Sequence, residues 1–390
     1  MLPDALRTEL AAVPDLRLLT QPDDLERFSR DAYDYSPVLQ QRLAQCRAEL
    51  VVRPETVDAV VRVAAGCRQH GVPLTLRGSG TGNYGQSVPL ESGVVMLMSQ
   101  LRAVRSIDQS SGVVTVECGC LMKDLNRELA RVGRQLRLMP STWRSATIGG
   151  FIAGGSGGIG SVRWGFLRDP GHLLGLEVVT MEQQPRVLQL EAGDAEALNH
   201  AYGTNGIITA LRLATATSVD WQELVVDCPD WRTAVDLARR CTSAAIDLHL
   251  CTVLEAAVVE LLPKWDLPQR RSDRLLLLVA PDAVSTVQRL ASAVGAEMTH
   301  LGAEADRHGS GLRELSWNHT TLHLRQRDPG WTYLQMLLPQ PEINCLETLK
   351  QTWGDDLLWH LEGVRQQGVQ RLASLPLVRW RGAEALEQLM

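Results

Sequence analysis

Apolar positions in the first half of the chain follow two spacings in turn, every second residue and every third or fourth. Residues 49–53 (ELVVR), 73–76, 94–98 and 113–117 read as strands. Residues 57–70 read as a helix with Val57, Val60, Val61 and Ala64 on one face, closed by Gly71. Leu121, Leu125, Leu129 and Val132 mark a second amphipathic helix, stopped by Gly133. Strands at 173–180, 186–190 and 207–213 follow, with a short helix near 192–201. Beyond a polar stretch at 215–220, the pattern predicts strands at 222–226, 275–280, 319–325 and 332–338, and helices at 230–244, 282–294 and 342–353. Helices on one side of an antiparallel sheet are the natural arrangement of such a mixture.

Composition sharpens the division at 215–220. Of 32 glycines, 23 lie at or before position 215, whereas 8 of 10 tryptophans lie after it. The first half is thus rich in backbone that approaches something closely, and the second in large side chains. The 390 residues carry 39 Lys and Arg against 45 Asp and Glu, a net charge of −6 without a basic stripe. That balance argues against a dedicated nucleic-acid binder, and Arg239-Arg240 and Arg270-Arg271 read as solvated surface. No run approaches the roughly 18 apolar residues that span a bilayer. Asp4, Glu9 and Asp15 interrupt the N-terminus, so neither a signal peptide nor a transmembrane helix is expected. The eight cysteines show no zinc or disulfide spacing, and the expected compartment is a reducing cytoplasm.

The stretch directly after the strand at 73–76 is RGSGTGNYGQ, residues 77–86. Gly78, Gly80, Gly82 and Gly85 permit positive φ and can turn consecutive N–H groups to one concave side, a nest for phosphate. Arg77, Ser79, Thr81 and Asn83 add donors. A glycine-rich hairpin turn fits the same residues. The spacing Gly80-x-Gly82-x-x-Gly85 also matches a dinucleotide fingerprint, but that motif needs a helix at once, and Pro89 and Gly93 forbid it. A second stretch, TIGGFIAGGSGGIGSVRWG at 147–165, holds six glycines from Gly154 to Gly165. Each costs about 0.5–1 kcal/mol relative to Ala. A ligand lying against the main chain would offset that cost, and two such loops can clasp an elongated one.

These motifs resemble the FAD-linked oxidase family with a PCMH-type flavin domain, whose members include vanillyl-alcohol oxidase, glycolate oxidase and D-lactate dehydrogenase. The resemblance runs over 48–217: VVRP at 51–54, RGSGTGNYGQ at 77–86, VECG at 116–119, Pro140-Ser141, ATIGG at 146–150, LEVVT at 176–180 and GTNGIIT at 203–209. It implies an α+β, two-domain PCMH-type FAD-binding fold with a mixed antiparallel-sheet α+β cap. Residues 1–47 would be an N-terminal segment, 48–217 the flavin domain and 218–390 the cap. Gly78–Gly82 would cradle the FAD diphosphate, with Tyr84, Gly85 and Gln86 close by. Pro140, Ser141, Thr147, Ile148, Gly149, Gly150, Gly154, Gly157 and the loop to Ser161 would line the dinucleotide. Gly206, Ile207 and Ile208 would hold its adenine or ribityl end through the main chain; the two isoleucines fit a core strand equally. Some members attach FAD covalently through a His in the first loop or a Cys near the second. Thr81 and Ser145 stand at those positions, which implies non-covalent FAD.

In this family the second domain covers the flavin ring and selects the substrate. Residues 317–325 read WNHTTLHLR, and as a strand they would place His319, Thr321, His323 and Arg325 on one face. The next strand would add Trp331, Tyr333 and Gln335. Arg325 suits a carboxylate and a histidine suits a hydroxyl proton, so His319, His323, Arg325 and Tyr333 are the candidate catalytic residues. The solvated face of an antiparallel sheet shows the same alternation. His319-Thr-Thr-Leu-His323 lacks the glutamate of a metalloprotease helix, and the cap lacks the His-x-Gly-Asp-Gly-Asn-x-His segment of the D-lactate and glycolate branch, so no metal is expected. The lone His70, His200, His249, His300 and His308 carry no comparable context. Arg163 and Trp164 fit either a flavin contact or a surface stack. Relatives end on a tail that returns to the flavin domain, and the ending AEALEQLM implies a shortened cap. The resulting expectation is an FAD-dependent oxidase or dehydrogenase of a small CH–OH substrate, with oxygen, a quinone or a protein as electron acceptor. The alternative is a flavin-binding partner subunit with reduced turnover.

Overall fold

A computed structural model describes residues 2–155, 157–265, 267–306 and 310–390, so Ser156 in the second glycine stretch and His308 lie outside the described residues. The chain forms two units, Met1–Ser156 with Leu167–Ser218, and Gly157–Phe166 with Val219–Met390.

In the first unit, Leu50–Pro54 and Leu74–Arg77 both pair in parallel with Val94–Leu97, while Leu16–Leu19 adds antiparallel to the free edge of Leu50–Pro54. Leu50, Val51, Val52, Val94, Val95 and Met96 are all buried, the uninterrupted apolar run expected of strands covered on both faces. The helix Val57–Gln69 makes the crossover. Thr56 caps it by accepting from the Ala59 N–H at 3.2 Å, and Val60, Val63, Ala64 and Cys67 turn inward. A second, antiparallel sheet runs in the order Val104–Asp108, Val113–Glu117, Ile207–Thr217, Leu173–Val179 and Val187–Glu191 among the described residues. The helix Met122–Ala130 buries Leu125 and Leu129 of the predicted face together with Met122, while Leu121 is its N-cap and Val132 lies beyond its end. Residues 1–47 contain the helices Asp4–Ala11, Pro22–Phe28 and Pro37–Leu43, which the apolar pattern does not reveal.

The second unit is built on an antiparallel sheet ordered Glu297–Ala303, Gln222–Cys228, Asp273–Val279, Leu248–Leu254, His360–Gln366, Val369–Ser374 and Met336–Leu337 among the described residues. Helices Trp231–Ser243 and Val284–Ser292 bury Ala234, Leu237 and Val287 against Leu224, Val226, Leu275, Leu277 and Leu361. This is the helix-on-sheet arrangement the mixed pattern predicts. The other sheet face carries buried polar groups. Arg274 donates to Asp227 at 2.8 Å, the Leu312 N–H to Glu223 at 2.6 Å, and the Trp317 N–H to Glu362 at 2.6 Å.

Two sequence expectations are corrected here. Residues 319–325 are not a strand but lie within the helix Asn318–Arg327. The buried positions are Thr320, Thr321 and Leu324, a helical spacing, and the Thr320 hydroxyl donates to the Leu315 carbonyl at 2.8 Å. Residues 332–338 are not one strand either. Trp331–Tyr333 pairs with Leu377–Arg379, and Met336–Leu337 pairs with Val369–Ser374 in the larger sheet.

Candidate functional site

The strand Leu74–Arg77 delivers the chain into the first glycine loop. Gly80 and Gly85 take φ of 70° and 77°, which lets the loop curl. The backbone N–H groups of Ser79, Gly80, Thr81 and Gly82 donate to no protein acceptor among the described residues. Ser79 is exposed and the other three are half-buried. Four successive donors without acceptors fit an anion with several oxygens, such as a diphosphate. The underside of the loop is packed by its own side chains. Arg77 is buried beneath Gly80, and its Nη1 donates to Ser87 Oγ at 3.2 Å. Gln86 folds back under Gly82 and accepts from the Tyr84 N–H at 2.9 Å. Asn83 is buried, whereas Tyr84 is exposed.

The N-terminal segment grips this loop, which the sequence did not reveal. Asp31 accepts from the Tyr33 N–H at 2.9 Å and from the Ser87 N–H at 3.4 Å, and the Ala32 N–H donates to the Gly82 carbonyl at 2.8 Å. Burial pushes the Asp31 carboxyl up to about 6, against the opposing pull of these donors and of Arg77. Burial likewise draws the Arg77 guanidinium downward. The sequence signal at this point is an Asp two residues before Tyr33, a local turn pattern without functional meaning of its own.

The second glycine stretch begins as a helix, Ile148–Gly154, capped by Thr147 Oγ1, which accepts from the Gly150 N–H at 3.3 Å. The same hydroxyl occupies the space a Cβ on Gly78 would need. Gly149 lies on Cys118, where a Cβ would come within 2.5 Å of the Cys118 Cβ, and its N–H donates to the Cys118 carbonyl at 2.8 Å. The Thr142 hydroxyl reaches Thr81 at 3.5 Å, within a turn in which the Trp143 N–H donates to the Pro140 carbonyl and Ser141 is buried. The first unit therefore brings Gly78–Gln86, Pro140, Ser141, Thr147–Gly150 and Gly154 together. Gly206 turns the chain into the Ile207–Thr217 strand, where the Ile207 and Ile208 side chains are core. Gly157 and Ser161 belong to the second unit. There Ser161 accepts from the Gly158 N–H at 3.1 Å, and Gly157 lies against the Trp317 ring. Arg163 stacks on Trp164 at 5.1 Å and pairs with Asp247 at 3.1 Å, which is the stack the sequence had left open.

The substrate candidates do not share a sheet face. His319 and His323 lie one helical turn apart with rings 6.4 Å between centroids. The His323 Nε2–H donates to the Glu314 carbonyl at 2.8 Å, its ring meets Trp265 edge-on, and burial lowers its pKa. Arg325 Nη1 donates to the carbonyls of Pro329 and Trp331, at 3.0 and 2.5 Å. Tyr333 sits in the Trp331–Tyr333 strand of the smaller sheet.

Residues 48–184 match the family described as the FAD binding domain. The glycolate oxidase subunit GlcD of Bacillus subtilis is 33% identical over 148 residues, 38% of this chain and 30% of that protein. The mitochondrial D-2-hydroxyglutarate dehydrogenase of Danio rerio is 29% identical over 163 residues, 42% of this chain and 29% of that protein. The glycolate oxidase subunit GlcD of Escherichia coli is 27% identical over 202 residues, 50% of this chain and 38% of that protein. The matched stretches span only about a third of these relatives. A solved alkyldihydroxyacetonephosphate synthase superposes with a TM-score of 0.79 at 16% identity, covering 100% of this chain and 81% of its own, which shows a shared fold.

Proposed function

We infer that this chain, whose residues 48–184 match the FAD binding domain family, is an FAD-dependent oxidoreductase acting on the CH–OH group of a small substrate, with hydroxy acids as its class. The observation that carries this reading is the run of N–H groups at Ser79, Gly80, Thr81 and Gly82 without protein acceptors. Bound there, FAD supplies the hydride acceptor, and the protein supplies binding and orientation. The loop Arg77–Gln86 takes the diphosphate. Pro140, Ser141, Thr147–Gly150 and Gly154 line the dinucleotide, and the main chain at Gly206–Ile208 holds its far end. Thr81 and Ser145 offer neither imidazole nor thiol for a covalent link, so FAD is held non-covalently. Residues 48–217 serve as the flavin domain, and 218–390 select the substrate, with His319 as the side chain to test for proton transfer. The free cysteines suit a reducing cytoplasm. Relatives named for glycolate and D-2-hydroxyglutarate support the substrate class.

The test is anaerobic mixing of the flavin-loaded protein with hydroxy acids, alcohols and sugar lactones. Hydroxy acids are expected to bleach the oxidised flavin, and readmission of oxygen or a quinone then identifies the acceptor by the return of colour. His319→Ala should slow bleaching without releasing FAD. Acid precipitation should leave the yellow colour in the supernatant; a yellow pellet refutes non-covalent attachment. Full FAD occupancy without bleaching by any compound rejects turnover and favours a second reading, a flavin-binding partner subunit. That reading draws support from the helix Asn318–Arg327, which removes the shared His and Arg sheet face.

A further inference from the structure

The family match begins at residue 48, and the contacts beneath the first glycine loop come from residues before it. Asp31 is tied to the loop through the Ser87 N–H, and Arg77 is tied to the same residue through the Ser87 hydroxyl. The Ala32 N–H holds the Gly82 carbonyl, so the main chain around Asp31 and the loop are joined directly. A carboxylate thus stands behind the loop whose outer N–H groups await an anion, and the guanidinium that could serve that anion is shared with it.

We propose that Asp31 and the diphosphate of FAD compete as like charges for the Ser87 and Arg77 groups of the first loop, so that FAD binds with uptake of a proton at Asp31. This rests on the FAD reading above. An anion on the loop raises the proton affinity of a nearby carboxyl and leaves Arg77 to the incoming charge. The free protein already holds that carboxyl up to about 6, so only a modest further rise brings it into the neutral range.

The other charged groups around Asp31 do not replace it in this role. Arg27 of the helix Pro22–Phe28 acts on Arg77 as a like charge. Arg30 and Arg47 are both paired to Glu26. Asp34 and Arg42 are exposed and face solvent, Tyr33 is buried, and Tyr84 is exposed on the loop itself.

The experiment is titration of the apoprotein with FAD, followed by flavin fluorescence, from about pH 6 to about pH 8. The wild-type Kd is expected to weaken with rising pH, by up to about tenfold per pH unit for one linked proton. Asp31→Asn should bind as tightly at the upper pH as at the lower, and Asp31→Ser replaces it if the Asn variant does not fold. Calorimetry of the wild type in two buffers of different ionisation heat should show proton uptake near neutrality. Equal slopes in wild type and variant, or binding heats that give no proton uptake, overturn the proposal while leaving FAD binding intact. Failure of the folded wild type to take FAD at any pH overturns both readings.

Discussion

Gly78→Ala tests whether the two glycine stretches are fastened together as the fold requires. Gly78 has no left-handed φ, so alanine meets no backbone penalty there, and the unfolded chain loses about 0.4–1 kcal/mol of freedom in its favour. The obstacle is Thr147. Its Oγ1 fills the space of the new Cβ, while its own Cβ and the Gly150 Cα stand at a tolerable 3.5 and 3.7 Å. To make room, the hydroxyl must leave the Gly150 N–H that it caps at 3.3 Å. Lost capping costs about 1 kcal/mol and the overpacking about 1–3 kcal/mol. Net of the gain through the unfolded chain the cost is about 1–3.6 kcal/mol, and a domain of this size loses roughly 2–4 °C in Tm per kcal/mol, so the first unit should melt roughly 2–14 °C lower. Thr147→Ala alone loses only the cap. Because it also removes the obstructing oxygen, the double variant Gly78→Ala, Thr147→Ala should melt within about 3 °C of Thr147→Ala. Scanning calorimetry of the four apoproteins measures the cycle. Thr147→Ser keeps the oxygen and should not rescue. Additive losses, or rescue by serine, would refute the direct contact.

Gly154→Ala should behave oppositely. Its Cβ would meet only Gln86 Nε2 at 4.0 Å and would favour the helix, so Tm should hold or rise while FAD affinity falls; unchanged affinity removes Gly154 from the cofactor site. Arg274→Ala strands the Asp227 carboxylate in the second unit's buried sheet face and should cost about 3–5 kcal/mol, read as loss of that unit's melting transition at its usual temperature. Burial pushes the thiols of Cys67, Cys118, Cys228 and Cys241 up to about 12, so a disulfide reagent at about pH 8 should react quickly with half-buried Cys46 and Cys345 and with the rest after denaturation. More than two fast thiols contradicts the packing. Asp31 has a folded pKa of about 6, above its ordinary 3.8, so its ionisation opposes folding fully above pH 6, and that cost vanishes as pH falls through 3.8. Asp31→Asn apoprotein should accordingly gain Tm over wild type at about pH 8, with the gain shrinking on acidification; a gain that grows in acid reverses the sign and refutes it.

The elements legible in the sequence are those whose buried positions keep a single period. Val57–Gln69 and Met122–Ala130 show one apolar helix face, and Trp231–Ser243 adds an Asp230 cap that accepts the Thr233 N–H at 2.8 Å. Leu248–Leu254 escaped detection because every residue in it is buried, so it has no alternation to read. Asn318–Arg327 failed in the opposite sense. Leu322 and Leu324 alternate with His and Arg as in a strand, but two buried threonines with Leu324 set the inward face, and threonine carries a weak signal in either period. The candidate substrate face dissolved with that misreading, while the glycine loops did not depend on it.

Glycine itself separates what sequence can say from what only packing decides. Gly78, Gly149 and Gly80 look alike in sequence, each part of a run that invites a ligand. In the fold, Gly149 lacks a side chain because Cys118 lies against it, and Gly78 because the Thr147 cap does; their close approaches are between parts of the chain. Gly80 also lies against the chain, over the Arg77 guanidinium, but its φ of 70° in addition bends the loop so that its own N–H and those of its neighbours are left without acceptors. The glycine surplus therefore has two causes, only one of which bears on a cofactor. A count of glycines inflates the cofactor site, whereas the contacts that a Cβ would make, taken together with the N–H groups left without acceptors, separate close approach within the chain from approach to a ligand. Substitution at the first kind should move Tm before affinity, and at the second kind affinity before Tm. That contrast between Gly78 and Gly154, once measured, would support a bound dinucleotide more strongly than the number of glycines does.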